Sequence, residues 1–155
     1  MKPNVKTLLV IVALLLSPLQ GAYADTMSIL RDKVAADKKL LVATNIELTS
    51  AEEDVFWPVY ESYQQDLASI NRRVALLLDD YTMAYVELTL TDELAGELLQ
   101  EMLAIEQSEL DLMQTYLPKL QAVLPNIKVA RYLQLEHKIR ALVKYELAGL
   151  VPLAD

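Results

Sequence analysis

Phe56, Tyr60, Tyr63, Leu67, Ile70, Val74, Leu77, Tyr81 and Ala84 follow one another at alternating spacings of four and three residues, an apolar seam of nine positions. A strand returns to the same face every second residue and cannot hold that register, whereas a helix returns after three or four. The seam therefore specifies one long helix packed against other helices. Its start is marked by Thr49-Ser50-Ala51-Glu52, where a threonine N-cap and a glutamate three residues later have the spacing of a capping box. Pro58 lies inside the pattern and lacks the N–H that would bond the carbonyl four residues back, so a kink or a helix restart is expected near Trp57.

The rest of the chain reads the same way. Ser28 to Thr44 sets Ile29, Leu30, Val34, Leu41 and Val42 among charged residues, with Asn45 as a C-terminal cap. A break spans Glu87 to Thr91, and Thr91-Asp92-Glu93 caps a third helix with two acids at its positive end. Pro118 and Pro125 interrupt its wide apolar face, and Leu124-Pro125 is the bend into a last helix from Asn126 to Leu147. No segment sustains strand alternation. The expected fold is all-α, an elongated helical hairpin or bundle of about four helices.

The first 24 residues stand apart from this pattern. Lys2 and Lys6 precede an unbroken apolar run from Leu8 to Leu16, and Ala22-Tyr23-Ala24 has the form of a signal peptidase site. The run is too short to span a bilayer as a helix, which needs about 20 apolar residues. The expected organisation is a signal peptide over 1–24, cleaved after Ala24, and a single helical domain over 25–155 in the periplasm, with no integral membrane segment after cleavage. Cleavage leaves 131 residues and moves the formal charge from −8 to −10. So acidic a chain is a poor match to nucleic acid, whose phosphates need a basic face. A helix from Ser50 to Tyr85 would reach about 54 Å, against a radius of gyration near 14 Å for a compact chain of this size. Two solutions cover the seam: a homodimer that shares it, or a kinked up-down bundle that hides it within one chain.

Charge is segregated by helix. Residues 92–116 hold seven acids and no base, and residues 126–147 hold five lysines or arginines against two glutamates. The stripe Lys128, Arg131, Lys138, Arg140 and Lys144 is the first place to look for an anionic partner. Catalytic patterns are missing. His137 stands between Glu136 and Lys138, no serine sits in a Gly-x-Ser-x-Gly turn, and Gln134 occupies the position that a Glu-x-x-His di-iron motif requires. Gly96 and Gly149 are isolated, so no phosphate loop is present. With no cysteine, one histidine and scattered methionines, no soft metal site can be assembled, and neither enzymatic activity nor a cofactor is expected.

Aromatic residues carry more information. Phe56, Trp57, Tyr60 and Tyr63 crowd one helix start, with Tyr132 on the last helix. Tyrosine suits half-buried positions, and a bundle or dimer core is the first reading of these residues, with a surface that holds another polypeptide as the second. Phe56, Trp57, Tyr60, Tyr63, Arg131, Tyr132 and Arg140 are the candidate polypeptide-binding or interface residues, with Trp57, off the seam, the one expected to be exposed.

Leu48-Thr49-Ser50-Ala51-Glu52 at one helix start and Leu90-Thr91-Asp92-Glu93-Leu94 at another resemble the Leu-Thr-x-x-Gln motifs of the Spy/CpxP family of periplasmic helical proteins. Glu52 and Leu94 stand where that motif has glutamine. The stretches Leu48 to Tyr60 and Leu124 to Tyr132 also look like uncharacterised exported helical proteins grouped with that family. The resemblance implies an elongated helical hairpin, commonly a cradle-shaped dimer, with ATP-independent chaperone or envelope-stress roles and unfolded polypeptides as partners. Two further readings stay open: a regulatory or structural homodimer docking a specific envelope partner through Arg131 and Arg140, and a ligand or metal sensor.

Overall fold

The structure, a computed structural model, describes residues 36–149 and 151–154. The segment 1–24, its cleavage site and the beginning of the Ser28–Thr44 helix lie outside them. All regular structure among the described residues is helical: residues 36–46 (α1), Ser50–Val86 (α2), Asp92–Val123 (α3) and Asn126–Ala148 (α4). The fold is all-α, and no helix among the described residues is long and apolar enough to cross a membrane.

The caps follow local chemistry. Thr49 Oγ1 accepts from the Glu52 N–H, and the Thr49 N–H donates to Glu52 Oε2 at 2.7 Å, closing the capping box. Thr91 accepts from the Leu94 N–H at 3.2 Å, a simple N-cap with no return bond because Leu94 has no acceptor. At the end of α1 the expected cap is displaced. Asn45 is still helical and its amide donates to the Leu41 carbonyl, while Glu47 takes the left-handed conformation at φ 55°.

Both internal prolines are absorbed. α2 runs through Pro58 without restarting, and α3 runs through Pro118 to Val123, so the break between α3 and α4 falls at Leu124-Pro125 and not at Pro118. A proline removes one backbone bond at a cost of about 3 kcal/mol. Extensive side-chain packing along two helices of 37 and 32 residues offsets such a loss.

α2 closes in a Schellman turn. The Thr89 N–H bonds the Ala84 carbonyl at 2.9 Å, the Leu88 N–H bonds the Tyr85 carbonyl at 3.3 Å, and Leu88 sits at φ 58°. A leucine in that conformation is strained, and its side chain is 92% exposed, so packing returns nothing. Leu88→Gly is expected to raise stability by about 0.5–1 kcal/mol, measured as a higher urea midpoint at unchanged slope. An unchanged or lower midpoint contradicts the strain.

The described residues fall into two compact units. One comprises 36–48 with 130–149. Val42, Ile46 and Tyr132 are fully buried there, and Lys38 Nζ bonds Glu136 Oε2 at 2.9 Å, with Glu136 only 3% exposed. The other is Thr49–Val129 with 151–154, dominated by the α2–α3 hairpin. Its core is the seam itself: Phe56, Tyr60, Tyr63, Leu67, Ile70 and Ala84 are buried, as are Ile105, Leu112, Tyr116 and Leu120 of α3. One chain thus covers most of the seam without a second copy. Tyr63 meets Tyr116 edge to face at 5.3 Å, and the Tyr116 hydroxyl donates to Asp66 Oδ2 at 2.6 Å. Burial and that bond hold the Tyr116 phenol up at about 12.

Candidate functional site

Burial decides between the two readings of the aromatic residues. Phe56, Tyr60, Tyr63 and Tyr132 are at most 4% exposed and serve as core, the first three because seam positions face a neighbouring helix and Tyr132 within the unit formed by 36–48 and 130–149. Trp57 is half-buried, edge-on to Phe56 at 5.0 Å and to Tyr60 at 5.3 Å. It props the core at the start of α2 and does not form an open platform. Arg140 is half-buried, and Arg131 is exposed. The structure brings Phe56, Trp57 and Tyr60 into one cluster.

Two members of the basic stripe, Arg131 and Lys128, are engaged within their own units. Arg131 Nη1 lies 3.4 Å from Glu47 Oε1 and donates to the Asn45 carbonyl. These groups, with Thr44, Gln134, Leu135 and Lys138, line a polar hollow of about 360 Å³. Glu47 already supplies an anion to Arg131, which weakens the case for an external one. In the hairpin unit Lys128 Nζ donates to Glu52 Oε2 at 2.6 Å. This bond, followed by that from the Thr49 N–H, depresses the Glu52 carboxyl from 4.5 to about 2. The pairing gives the glutamate a charge to answer that a motif glutamine would leave unanswered. Because the folded pKa lies below the unfolded one, the stabilisation is present above pH 4.5 and is lost as pH falls towards 2. Chemical denaturation over that range is expected to show wild type more stable than Glu52→Gln near neutrality, with the gap closing on acidification.

The concave feature that sequence reading missed lies between α2 and α3 beside their turn. It is an open groove of about 540 Å³ whose apolar lining is Leu76, Leu77, Met83 and Ala84 from α2 and Leu94 and Leu98 from α3. The seam explains its position. Bulky rings fill the interhelix space at Phe56, Tyr60 and Tyr63, whereas the last seam position is the methyl of Ala84. Less volume is filled there and a depression remains. Leu76 is 59% exposed and Met83 52%, so both present apolar surface to solvent. They are one heptad apart and adjacent to seam residues Leu77 and Ala84, a second apolar register that could have been read from the sequence.

The groove is edged with charge of one sign. Asp80, Glu87, Glu97 and Glu101 line it with a single base, Arg73. Arg73 donates to both Glu101 oxygens, at 2.8 and 3.2 Å, and to Ser108 Oγ at 2.9 Å. The fork holds the Glu101 carboxyl below, and the Arg73 guanidinium above, their usual values. Asp80, Glu87 and Glu97 make no ion pair among the described residues. Chemically the site offers apolar contact and negative potential. Among the described residues no group of three or more His, Cys, Asp or Glu side chains is placed to hold a metal ion. No protein-family model, curated protein or solved structure matches the chain.

Proposed function

We propose that the protein is an exported, periplasmic polypeptide-binding protein, a Spy/CpxP-like chaperone or envelope-stress factor that works without nucleotide or metal. The signal-peptide pattern of residues 1–24 and the paired Leu-Thr helix starts support the compartment and the kinship. The observation that carries the binding role is the groove between α2 and α3. Leucine and methionine side chains stand half-exposed there at a site with room for another chain's aliphatic residues. Flexible, unbranched Met83 suits a surface that accepts differing side chains. Reversible capture of partly unfolded segments in this groove is the mechanism.

Suppression of client aggregation tests the reading. The purified protein, equimolar with a reduced and denatured client, is expected to slow light-scattering growth. Leu76→Ser with Met83→Ser is expected to weaken client affinity about tenfold or more, since an aliphatic side chain fully buried on binding contributes on the order of 1.5–3 kcal/mol. Both positions are exposed, so the fold tolerates the change. A client that aggregates equally fast with and without the protein refutes the reading.

A further inference from the structure

The geometry points to a specific class of occupant for the groove: cationic amphipathic segments, with aliphatic residues on one side and lysine or arginine beside them. The inference rests on the polypeptide-binding reading and adds the selectivity. Charge complementarity carries it. Asp80 on α2 and Glu87 at its C-cap lie one heptad apart, about 10 Å along the axis, and Glu97 faces the same groove from α3. None of the three is answered by an ion pair among the described residues, and the floor between them is aliphatic. A segment seating leucines on Leu77, Leu94 and Leu98 would lay lysine or arginine stems along the groove walls, with their heads at the rim carboxylates. An acidic segment would bring like charges together there, at a cost in both affinity and encounter rate.

Arg73 shows the contact in cis. Its stem lines the groove while its guanidinium forks onto Glu101 and reaches Ser108. An arginine of a bound segment would find the same carboxylate chemistry at Asp80, Glu87 or Glu97, where the place of the cation is not taken by this chain.

Two labelled peptides of equal length and identical leucine pattern test the proposal, one carrying lysine and arginine at its polar positions and the other glutamate. Fluorescence anisotropy with the wild-type protein is expected to show binding of the basic peptide, weakened by salt, and none of the acidic one. Asp80→Asn combined with Glu87→Gln and Glu97→Gln is expected to weaken the basic peptide on the order of tenfold. The three rim residues are exposed, so folding is not at stake. Equal affinity for both peptides, no binding of the basic one, or an unaffected triple variant overturns the proposal. Light scattering of the protein alone runs beside it. Self-association that the triple variant abolishes and the basic peptide does not displace identifies a second copy as the occupant, and also overturns it. The aggregation assay separates the two readings. Suppression that persists in the triple variant and ignores client charge removes only the selectivity. Binding of the basic peptide without suppression of any client removes the chaperone role and keeps the groove as a docking site.

Discussion

Tyr63→Ala is expected to cost about 3–5 kcal/mol, the range for deleting a fully buried aromatic ring that leaves a cavity behind. Tyr63 is fully buried near the middle of the hairpin and packs edge-on against Tyr116 of the opposite helix. Its loss removes the ring's own burial and the edge-to-face term, worth about 0.5–1.5 kcal/mol beyond area. A cavity also opens beside the Tyr116 to Asp66 bond. A domain of this size has only about 5–15 kcal/mol in total, so the variant should lose a large part of its stability. Urea denaturation followed by helical circular dichroism measures it. Trp57→Ala, at a half-buried position, is the comparison and should cost less. If the two variants have equal midpoints, the seam is not the principal core.

Lys38→Met is expected to be the second large effect, lowering stability by about 2–3 kcal/mol. Removing the ammonium leaves the Glu136 carboxylate, 3% exposed, without the cation that lies 2.9 Å away. The cost falls just under that of breaking a fully desolvated pair because Lys38 keeps 19% of its side-chain exposure and so remains partly hydrated. The loss shrinks when both charges go. Lys38→Met with Glu136→Leu is expected to recover most of the loss, because two apolar side chains of similar volume carry no desolvation penalty. The double-mutant cycle read from denaturation midpoints gives the coupling directly. A double variant no more stable than Lys38→Met shows that packing, not charge, holds this pair.

The hairpin was legible because its information is local and periodic. Thr49 with Glu52 and Thr91 with the Leu94 N–H mark helix starts through bonds made within four residues, and the four-three spacing of the seam names the face that packs. Burial depth was not legible. Phe56, Tyr60, Tyr63 and Tyr132 fit a core and a binding surface alike, because periodicity tells which residues share a face and not what covers it. That the helices continue through Pro58 and Pro118 was not legible for a related reason. The missing backbone bond is a fixed local cost, whereas the packing that outweighs it comes from residues distant in sequence. The groove escaped notice because it is a deficit of volume at Ala84, produced by two helices jointly. Only the recurrence of Leu76 and Met83 beside the seam hinted at it.

The division of the chain also sets a timetable for assembly. Thr49–Val129 is contiguous, so the hairpin forms from neighbours in sequence, the kind of contact that allows rapid folding. Residues 36–48 belong instead with 130–149. Bringing them together closes a loop over the whole hairpin segment, an entropic cost on the order of 4 kcal/mol before any contact repays it. In a chain delivered from its N-terminus, residues 36–48 emerge before the hairpin and must wait for partners that follow it. Val42 and Ile46, fully buried at the end of the process, are uncovered apolar side chains until α4 emerges.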